Sequence, residues 1–160
     1  MFAWLHATAL AETIRESSYL FPWIESIHVL ALTLVVGSIS IVDLRLLGIA
    51  SRDRSAAQLM AEVLPFTWTA FIVALLSGGT LFTSHAVGYA QNFQFRMKML
   101  LLALAGINML VFHLFTGRHA ARWSQDHPIP WQARLAAGIS LTLWIGIVAF
   151  GRWIGFTNVQ

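Results

Sequence analysis

"WIESIHVLAL", residues 23–32, is the stretch that decides the fold. It lies inside an apolar run that begins near Leu20 and continues to Gly48. A membrane-spanning helix needs about 20 mostly apolar residues, so this run is long enough to cross a bilayer. Ionisable side chains are costly inside a bilayer, which makes Glu25 and His28 the first candidates for a functional site.

The composition of the whole chain also indicates a membrane protein. Of its 160 residues, 58% are hydrophobic and 11% are charged, whereas soluble domains carry about 25% charged residues. The chain has no cysteine, which excludes disulfides, thiolate zinc sites, iron–sulfur clusters and covalently attached c-type haem. The basic residues are scattered rather than clustered, so we expect no nucleic-acid partner.

Four apolar runs are long enough to span a membrane, at about residues 20–48, 63–89, 97–115 and 135–156. Short polar connections separate them, which favours an up-down arrangement. The sequence therefore predicts an all-α integral membrane protein, a four-helix bundle forming a single domain over residues 1–160. Residues 1–17 predict a short amphipathic helix, placed either on the membrane surface or against the protein's own loops.

The distribution of basic residues predicts the orientation. The side with the first and third connections carries six arginines, whereas the other side carries four basic residues. Because cytoplasmic loops are enriched in Lys and Arg, we expect both termini to lie outside the cytoplasm.

Two histidines are predicted to lie at one depth. His28 is about eight residues into the first span, and His85 is about four residues before the second span ends. At about 1.5 Å per residue, their side chains should be level on adjacent antiparallel helices. Such a pair is the simplest bis-imidazole site for a b-type haem, clamped in the bundle core. His28 and His85 are therefore the predicted iron ligands.

Glu25 precedes His28 by three residues, so the two share a helix face. A carboxylate beside a histidine can fix the imidazole tautomer and support it as a metal ligand. Three alternatives stay open for Glu25: a direct metal ligand, a proton carrier near a quinone, or an interfacial residue that reaches water.

Three further residues join the predicted haem site. Gly78 lies two turns from His85 on one helix face, where it would leave clearance for a macrocycle or form a helix crossing. Arg96 and Lys98 open the third span on the same side as the histidines. They would hold haem propionates, or they would extend to the lipid headgroups.

A second group of polar residues lies near the opposite ends of the spans. Asp43 ends the first span and His113 ends the third, with Arg45 close by. No other span supplies a histidine at that level, so a second haem is not expected. We interpret Asp43, Arg45 and His113 as a structural polar cluster or as part of a proton or quinone site.

Four stretches carry a family resemblance: "FPWIESIHVLAL", "VDLRLLG", "FTWTAFIVALLSGGTLF" and "NFQFRMKMLLLALAGINMLVFH". From about residue 17 to 155, the chain resembles an uncharacterised family of small bacterial inner-membrane proteins. The resemblance implies four transmembrane helices in the bacterial cytoplasmic (inner) membrane and no assigned activity. A looser similarity to b-type cytochromes and copper-resistance membrane bundles is analogy at the level of the fold.

Three functional hypotheses follow. The first is a b-type cytochrome-like protein that passes electrons between the quinone pool or a membrane partner and an extracytoplasmic acceptor. If it is an enzyme, we expect a quinone-coupled oxidoreductase module. The second is a copper or iron site built on Glu25, His28 and His85, since imidazole suits these metals. The third is a cofactor-free accessory subunit, which implies a homo-oligomer or a larger membrane complex.

Overall fold

The computed structural model describes residues 8–51, 53–118, 123 and 128–157. Within these residues the secondary structure is helical, and none of them forms a strand. The helices are α1 (Ala9–Glu16), α2 (Leu20–Leu46), α3 (Ala56–Ser84), α4 (Ala86–Gln91), α5 (Phe93–Val111) and α6 (Trp131–Thr157). A π-helical turn, Phe112–Thr116, continues α5.

Four helical segments are long and apolar enough to cross a membrane: α2, α3, α5 with its π-helical turn, and α6. Their outward faces carry many large apolar side chains, among them Leu30, Phe66, Leu76, Phe115 and Ile145. A surface this apolar suits lipid rather than water. The structure thus confirms the predicted all-α bundle of four spans.

The second span differs from its predicted bounds at both ends. It begins seven residues earlier than predicted, where the Ser55 hydroxyl accepts a hydrogen bond from the Gln58 backbone N–H at 3.2 Å and caps the helix. It ends five residues earlier because His85 has φ −139° and ψ 44°, outside the helical region. His85 therefore lies at the junction between α3 and α4 instead of inside a span.

The third span also begins earlier than predicted. Asn92 caps α5, since its Oδ1 atom accepts a hydrogen bond from the Phe95 backbone N–H at 3.0 Å. Helix α5 therefore starts at Phe93, and Arg96 and Lys98 both lie within its first two turns.

The bundle is built from two helix hairpins. Helix α2 packs on α3, α5 packs on α6, and α2 also contacts α6. We call the end that joins α2 to α3 the first-loop end and the opposite end the termini end. An apolar core at mid-depth holds the hairpins together; it consists of Val35, Ala70, Ala105, Trp144 and Ile147. A second core at the first-loop end consists of Leu46, Ala56, Met60, Phe112, Trp123, Ala133 and Ala137.

The short helix α1 packs against α2 and α3. Its Ile14 side chain is buried, whereas Glu12 is exposed. Of the two predicted placements, the described part of this amphipathic segment lies against the protein itself, on the spans rather than on loops. Residues 1–7 of the predicted segment lie outside the described residues.

Candidate functional site

His28 of α2 forms a polar contact with α3. Its Nδ1 atom lies 2.9 Å from the Ala74 carbonyl oxygen and 3.1 Å from Ser77 Oγ. Ser77 Oγ donates its own proton to the Val73 carbonyl oxygen at 2.7 Å, so it accepts from His28. Both partners are acceptors, which places the proton of a neutral imidazole on Nδ1 and leaves a lone pair on Nε2.

Gly78 provides the space that the His28 ring occupies. A Cβ atom at Gly78 would lie 2.7 Å from His28 Cε1 and 3.2 Å from His28 Nδ1. Distances this short would force the imidazole or the helices to move. Gly78 thus lies at the contact of α2 with α3, and the space beside it holds an imidazole ring.

His85 lies well away from His28. Its exposed ring is 6.3 Å, between ring centroids, from both Phe21 and Tyr89. Gly78, which contacts His28, precedes His85 by seven residues, a rise of about 10 Å along a helix. The prediction that the two histidines are level is therefore wrong. Because α3 ends at Ser84, His85 is at a span end while His28 lies deeper in the bundle.

Glu25 does not take the role expected from its spacing. The Ala74 carbonyl and Ser77, not Glu25, hold Nδ1 of His28, and the Glu25 side chain is exposed. Its charge acts instead on Tyr89 of α4: burial raises the pKa of the Tyr89 phenol, and the Glu25 carboxylate raises it further. Sequence reasoning missed Ser77, although a hydroxyl beside two glycines in the middle of a span was a usable signal.

The two cations that open α5 point in different directions. Arg96 is exposed, whereas Lys98 is half-buried. The Cδ, Cε and Nζ atoms of Lys98 each lie 3.6 Å from the position of a Cβ atom on Gly151 of α6. Lys98 thus packs along α6, whereas Arg96 lies at an exposed position.

A cavity of about 300 Å³ lies between all four spans, toward the first-loop end. This volume is at the lower end of the range for small-molecule sites. Most of the wall is apolar, and Trp68, Phe71, Phe112 and Trp144 supply aromatic surface. The polar side chains on the wall are Asp43, Thr67, Asn108, His113 and Ser140. The cavity therefore combines aromatic walls with a few hydrogen-bonding groups.

Asp43 places a buried carboxyl group in the wall of this cavity. Asp43 is 6% exposed, and Ser140 lines the same wall. None of the described residues hydrogen-bonds to the Oδ2 atom of Asp43. A buried polar atom without a partner costs about 1–3 kcal/mol. Such an atom in a native structure calls for an explanation, and a ligand in the cavity supplies one.

The predicted group of Asp43, Arg45 and His113 is divided by the structure. Asp43 and His113 both line the cavity, but the Arg45 Nε atom donates to the Arg54 carbonyl oxygen at 2.7 Å, in the first connection. His113 lies on the π-helical turn and its Nδ1 atom is 2.9 Å from the Met109 carbonyl oxygen. Single π-helical turns are frequent at functional sites, so this irregular backbone is a second feature that marks the cavity.

Within the described ranges, no three His, Cys, Asp or Glu side chains form a group that could hold a metal ion.

Asn108 makes a hydrogen bond between helices at the cavity wall. Its Nδ2 atom donates to the Ala136 carbonyl oxygen at 3.0 Å. This bond joins α5 to α6 and fixes one side of the cavity.

Comparison with known proteins gives a family and no activity. No curated protein and no solved structure matches the chain. The profile of one family, DUF6644, matches residues 2–157, which is nearly the whole chain. This agrees with the resemblance to an uncharacterised membrane family seen in the sequence. The chain belongs to DUF6644, a family of unknown function.

Proposed function

We propose that the protein binds a lipid-soluble small molecule in the cavity between its four spans, with Asp43 hydrogen-bonding to the ligand's polar group. The observation that carries the proposal is the Oδ2 atom of Asp43, which is buried in the cavity wall and has no partner among the described residues. A ligand that reaches this oxygen would remove the cost of its burial.

The wall of the cavity indicates the chemical class of the ligand. Trp68, Phe71, Phe112 and Trp144 offer flat surfaces on which a ring packs well. A volume of about 300 Å³ suits one ring-sized head group. An apolar tail on that ring would leave between the helices into lipid. A ring with carbonyl or hydroxyl oxygens and an apolar tail is a quinone or a quinol.

Asp43 can serve both redox forms of such a ligand. A protonated carboxyl donates a hydrogen bond to a quinone carbonyl, and a carboxylate accepts one from a quinol hydroxyl. His113 lies on the same wall and is itself exposed, so it offers a route for protons between the cavity and the first-loop end. In the orientation that the arginine distribution favours, that end faces the cytoplasm of a bacterial cell.

The test is a binding titration with decylubiquinone, a short-tailed quinone, on protein purified in mild detergent. Quenching of tryptophan fluorescence reports binding, since Trp68 and Trp144 line the cavity. Asp43→Leu should weaken binding roughly tenfold or more, because it removes a hydrogen bond to a charged or acidic group. Asp53→Leu, at an exposed position outside the cavity, is the matched control and should bind as the unchanged protein does. Equal affinities for the two variants would overturn the proposal.

One observation favours a second candidate, a b-type haem held by His28. The carbonyl of Ala74 holds Nδ1 of His28 and leaves Nε2 free, which is the arrangement that orients metal-ligating histidines. A haem there would supply one-electron transfer between a quinone and an extracytoplasmic acceptor. His85 follows the end of α3, seven residues after the Gly78 that contacts His28, so in this candidate His28 and not His85 would hold the iron.

A reduced-minus-oxidised absorption spectrum separates the two candidates. Protein expressed with added haem should show α and β bands that His28→Ala removes and His85→Ala leaves in place. A featureless spectrum from folded, haem-supplied protein would contradict the second candidate and leave the cavity proposal unaffected.

A further inference from the structure

We infer that the cavity opens sideways into the bilayer between α3 and α5, and that this opening holds the apolar tail of the bound ligand. We call the opening the lateral window; its edges are Trp68 of α3 and Gly106 and Met109 of α5. The inference rests on the proposed function, because it states where the tail of that ligand lies and which residue limits the tail's width.

The packing of the helices leaves one side of the bundle less closed than the others. Helix α2 packs on α3 and on α6, and α5 packs on α6. These three contacts place α3 and α5 beside each other on the fourth side, where both line the cavity. In the described part of the chain, α3 and α5 do not pack on one another as the other three pairs do. The cavity is therefore least enclosed between α3 and α5.

Exposure along the cavity wall locates the opening on the same side. Every wall residue that α2 and α6 contribute is buried or half-buried. The exposed residues of the wall are Trp68 of α3, Gly106 and Met109 of α5, and His113 of the π-helical turn. A residue that lines the cavity and is also exposed lies where the cavity meets the outside of the bundle. The exposed part of the wall thus coincides with the gap between α3 and α5.

Side chains bound the window toward both ends of the bundle. Toward the termini end, the Phe82 ring of α3 stacks on the Phe95 ring of α5, with 5.3 Å between the ring centroids. The Tyr89 ring of α4 lies 6.4 Å from Phe82 and 5.7 Å from Phe95. Toward the first-loop end, Met60 of α3 and Phe112 of the π-helical turn belong to one apolar core. The gap therefore lies between two regions in which side chains of both helices meet.

The depth of the window indicates what occupies it. Trp68 is twelve residues after the start of α3, and Gly106 is thirteen residues after the start of α5. At about 1.5 Å per residue, each lies at least about 15 Å from either end of its span. The hydrocarbon core of a bilayer is about 30 Å thick, so the window faces acyl chains rather than headgroups or water. An apolar chain suits this position.

The size of the cavity requires such a passage for a tailed ligand. A volume of about 300 Å³ holds the ring of a quinone and leaves no room for a long tail. A tail attached to a ring beside Asp43 must therefore leave through the window. Because both the tail and the lipid are apolar, the tail can extend from the window into the bilayer without contact with water.

Gly106 sets the width of the window. No atom of the described residues lies within 4 Å of the position that a Cβ atom at Gly106 would take, so the edge of α5 is open there. Leu102 and Met109, four residues before and three residues after Gly106, also line the cavity and share its helix face. A larger side chain at Gly106 would project into the opening between these neighbours and narrow it.

The experiment compares a quinone that has a tail with one that has none. Decylubiquinone and dimethoxy-methyl-benzoquinone, the same ring without the decyl chain, are titrated into the purified full chain with tryptophan fluorescence as the readout. Gly106→Leu should weaken decylubiquinone binding roughly tenfold or more, because the leucine overpacks the path of the tail. It should leave binding of the tail-less quinone unchanged. Gly37→Leu, at an exposed position of α2 that is outside the cavity and equally open, is the matched control and should bind both quinones as the unchanged protein does.

The proposed function and the lateral window fail in different ways. Asp43→Leu should weaken binding of both quinones, since Asp43 holds the ring; if neither quinone binds to the unchanged protein, both proposals are wrong. Equal affinities of Gly106→Leu and Gly37→Leu for decylubiquinone, or an equal loss of both quinones in Gly106→Leu, would overturn the window alone. A copurified phospholipid that is lost in Gly106→Leu while quinone binding stays intact would assign the window to a lipid acyl chain, and would also overturn it.

A second pair of variants applies if Gly106→Leu does not fold. Met109→Phe changes the same edge of the window, and Leu110→Phe makes a similar change at the next residue, which is exposed and outside the cavity wall. Met109→Phe should weaken binding of decylubiquinone and not of the tail-less quinone, and Leu110→Phe should change neither. Equal effects of the two variants on decylubiquinone would contradict the window.

Discussion

The imidazole of His28 packs so closely on Gly78 that a Cβ atom at Gly78 would lie 2.7 Å from its Cε1 atom. This contact joins α2 to α3 through a histidine held by the Ala74 carbonyl at 2.9 Å. It also places His28 about two helical turns from His85, so the structure does not bring the two predicted iron ligands together. The contact with Gly78 and the hydrogen bond to Ala74 therefore fix the position of the His28 ring at this end of the bundle.

Gly78→Ala should destabilise the protein by roughly 1–3 kcal/mol, because the added methyl group overpacks the His28 ring. Thermal unfolding in detergent, followed by circular dichroism, measures the change. Gly79→Ala is the matched control, since nothing lies within 4 Å of its Cβ position, and alanine there should be neutral or stabilising. Similar melting temperatures for the two variants would show that His28 does not occupy this space.

Asp43→Leu should raise the melting temperature of ligand-free protein while it weakens quinone binding. The leucine removes a buried Oδ2 atom that has no partner among the described residues, and such an atom costs about 1–3 kcal/mol. Stability gained at the expense of function is common at binding sites. A clear loss of stability in the unliganded variant would instead show that Asp43 is a structural residue of the bundle.

Asn108→Ala should weaken the contact between α5 and α6, because it removes the hydrogen bond to the Ala136 carbonyl. Interhelical bonds of this kind contribute about 0.6 kcal/mol on average in membrane proteins. Thr142→Val is the control, since the Thr142 hydroxyl bonds to Gly138 within its own helix. Unfolding free energies that fall equally in both variants would argue against an interhelical role for Asn108.

The ionisation of Tyr89 tests the placement of Glu25. The chain has two tyrosines, so Tyr19→Phe isolates Tyr89 in a spectrophotometric pH titration. Burial and the Glu25 carboxylate raise the pKa of Tyr89. Glu25→Gln removes the negative charge that opposes ionisation, so the pKa should fall but stay above the ordinary value of about 10. No change in the titration would place Glu25 away from Tyr89.

Apolar run length predicted the number of spans because a bilayer sets a minimum helix length. It could not predict where α3 ends, since the backbone of His85 leaves the helical region inside a continuous apolar stretch. The difference in depth between His28 and His85 follows from the register of the two helices, which sets His28 against Gly78 rather than against His85. The groups that hold His28 are the Ala74 carbonyl and the Ser77 hydroxyl, which lie on another helix. Their contact with His28 depends on how the two helices pack, so the sequence around His28 does not reveal it.

The site at the first-loop end was only partly visible in the sequence. Asp43 and His113 were candidates because polar groups in spans are costly, and the structure places both on one cavity wall. The side chain of Arg45 bonds in the first connection instead. The cavity is formed by side chains on all four spans, a property that no single stretch of sequence contains.

The most direct test of the account is photolabelling of the membrane-embedded protein with an azidoquinone, with labelled residues mapped by mass spectrometry. The account predicts labels on residues of the cavity wall such as Trp68 and Phe112, reduced by excess decylubiquinone and lost in Asp43→Leu. Labels confined to lipid-facing residues such as Leu30 and Leu76, unchanged in Asp43→Leu, would contradict it.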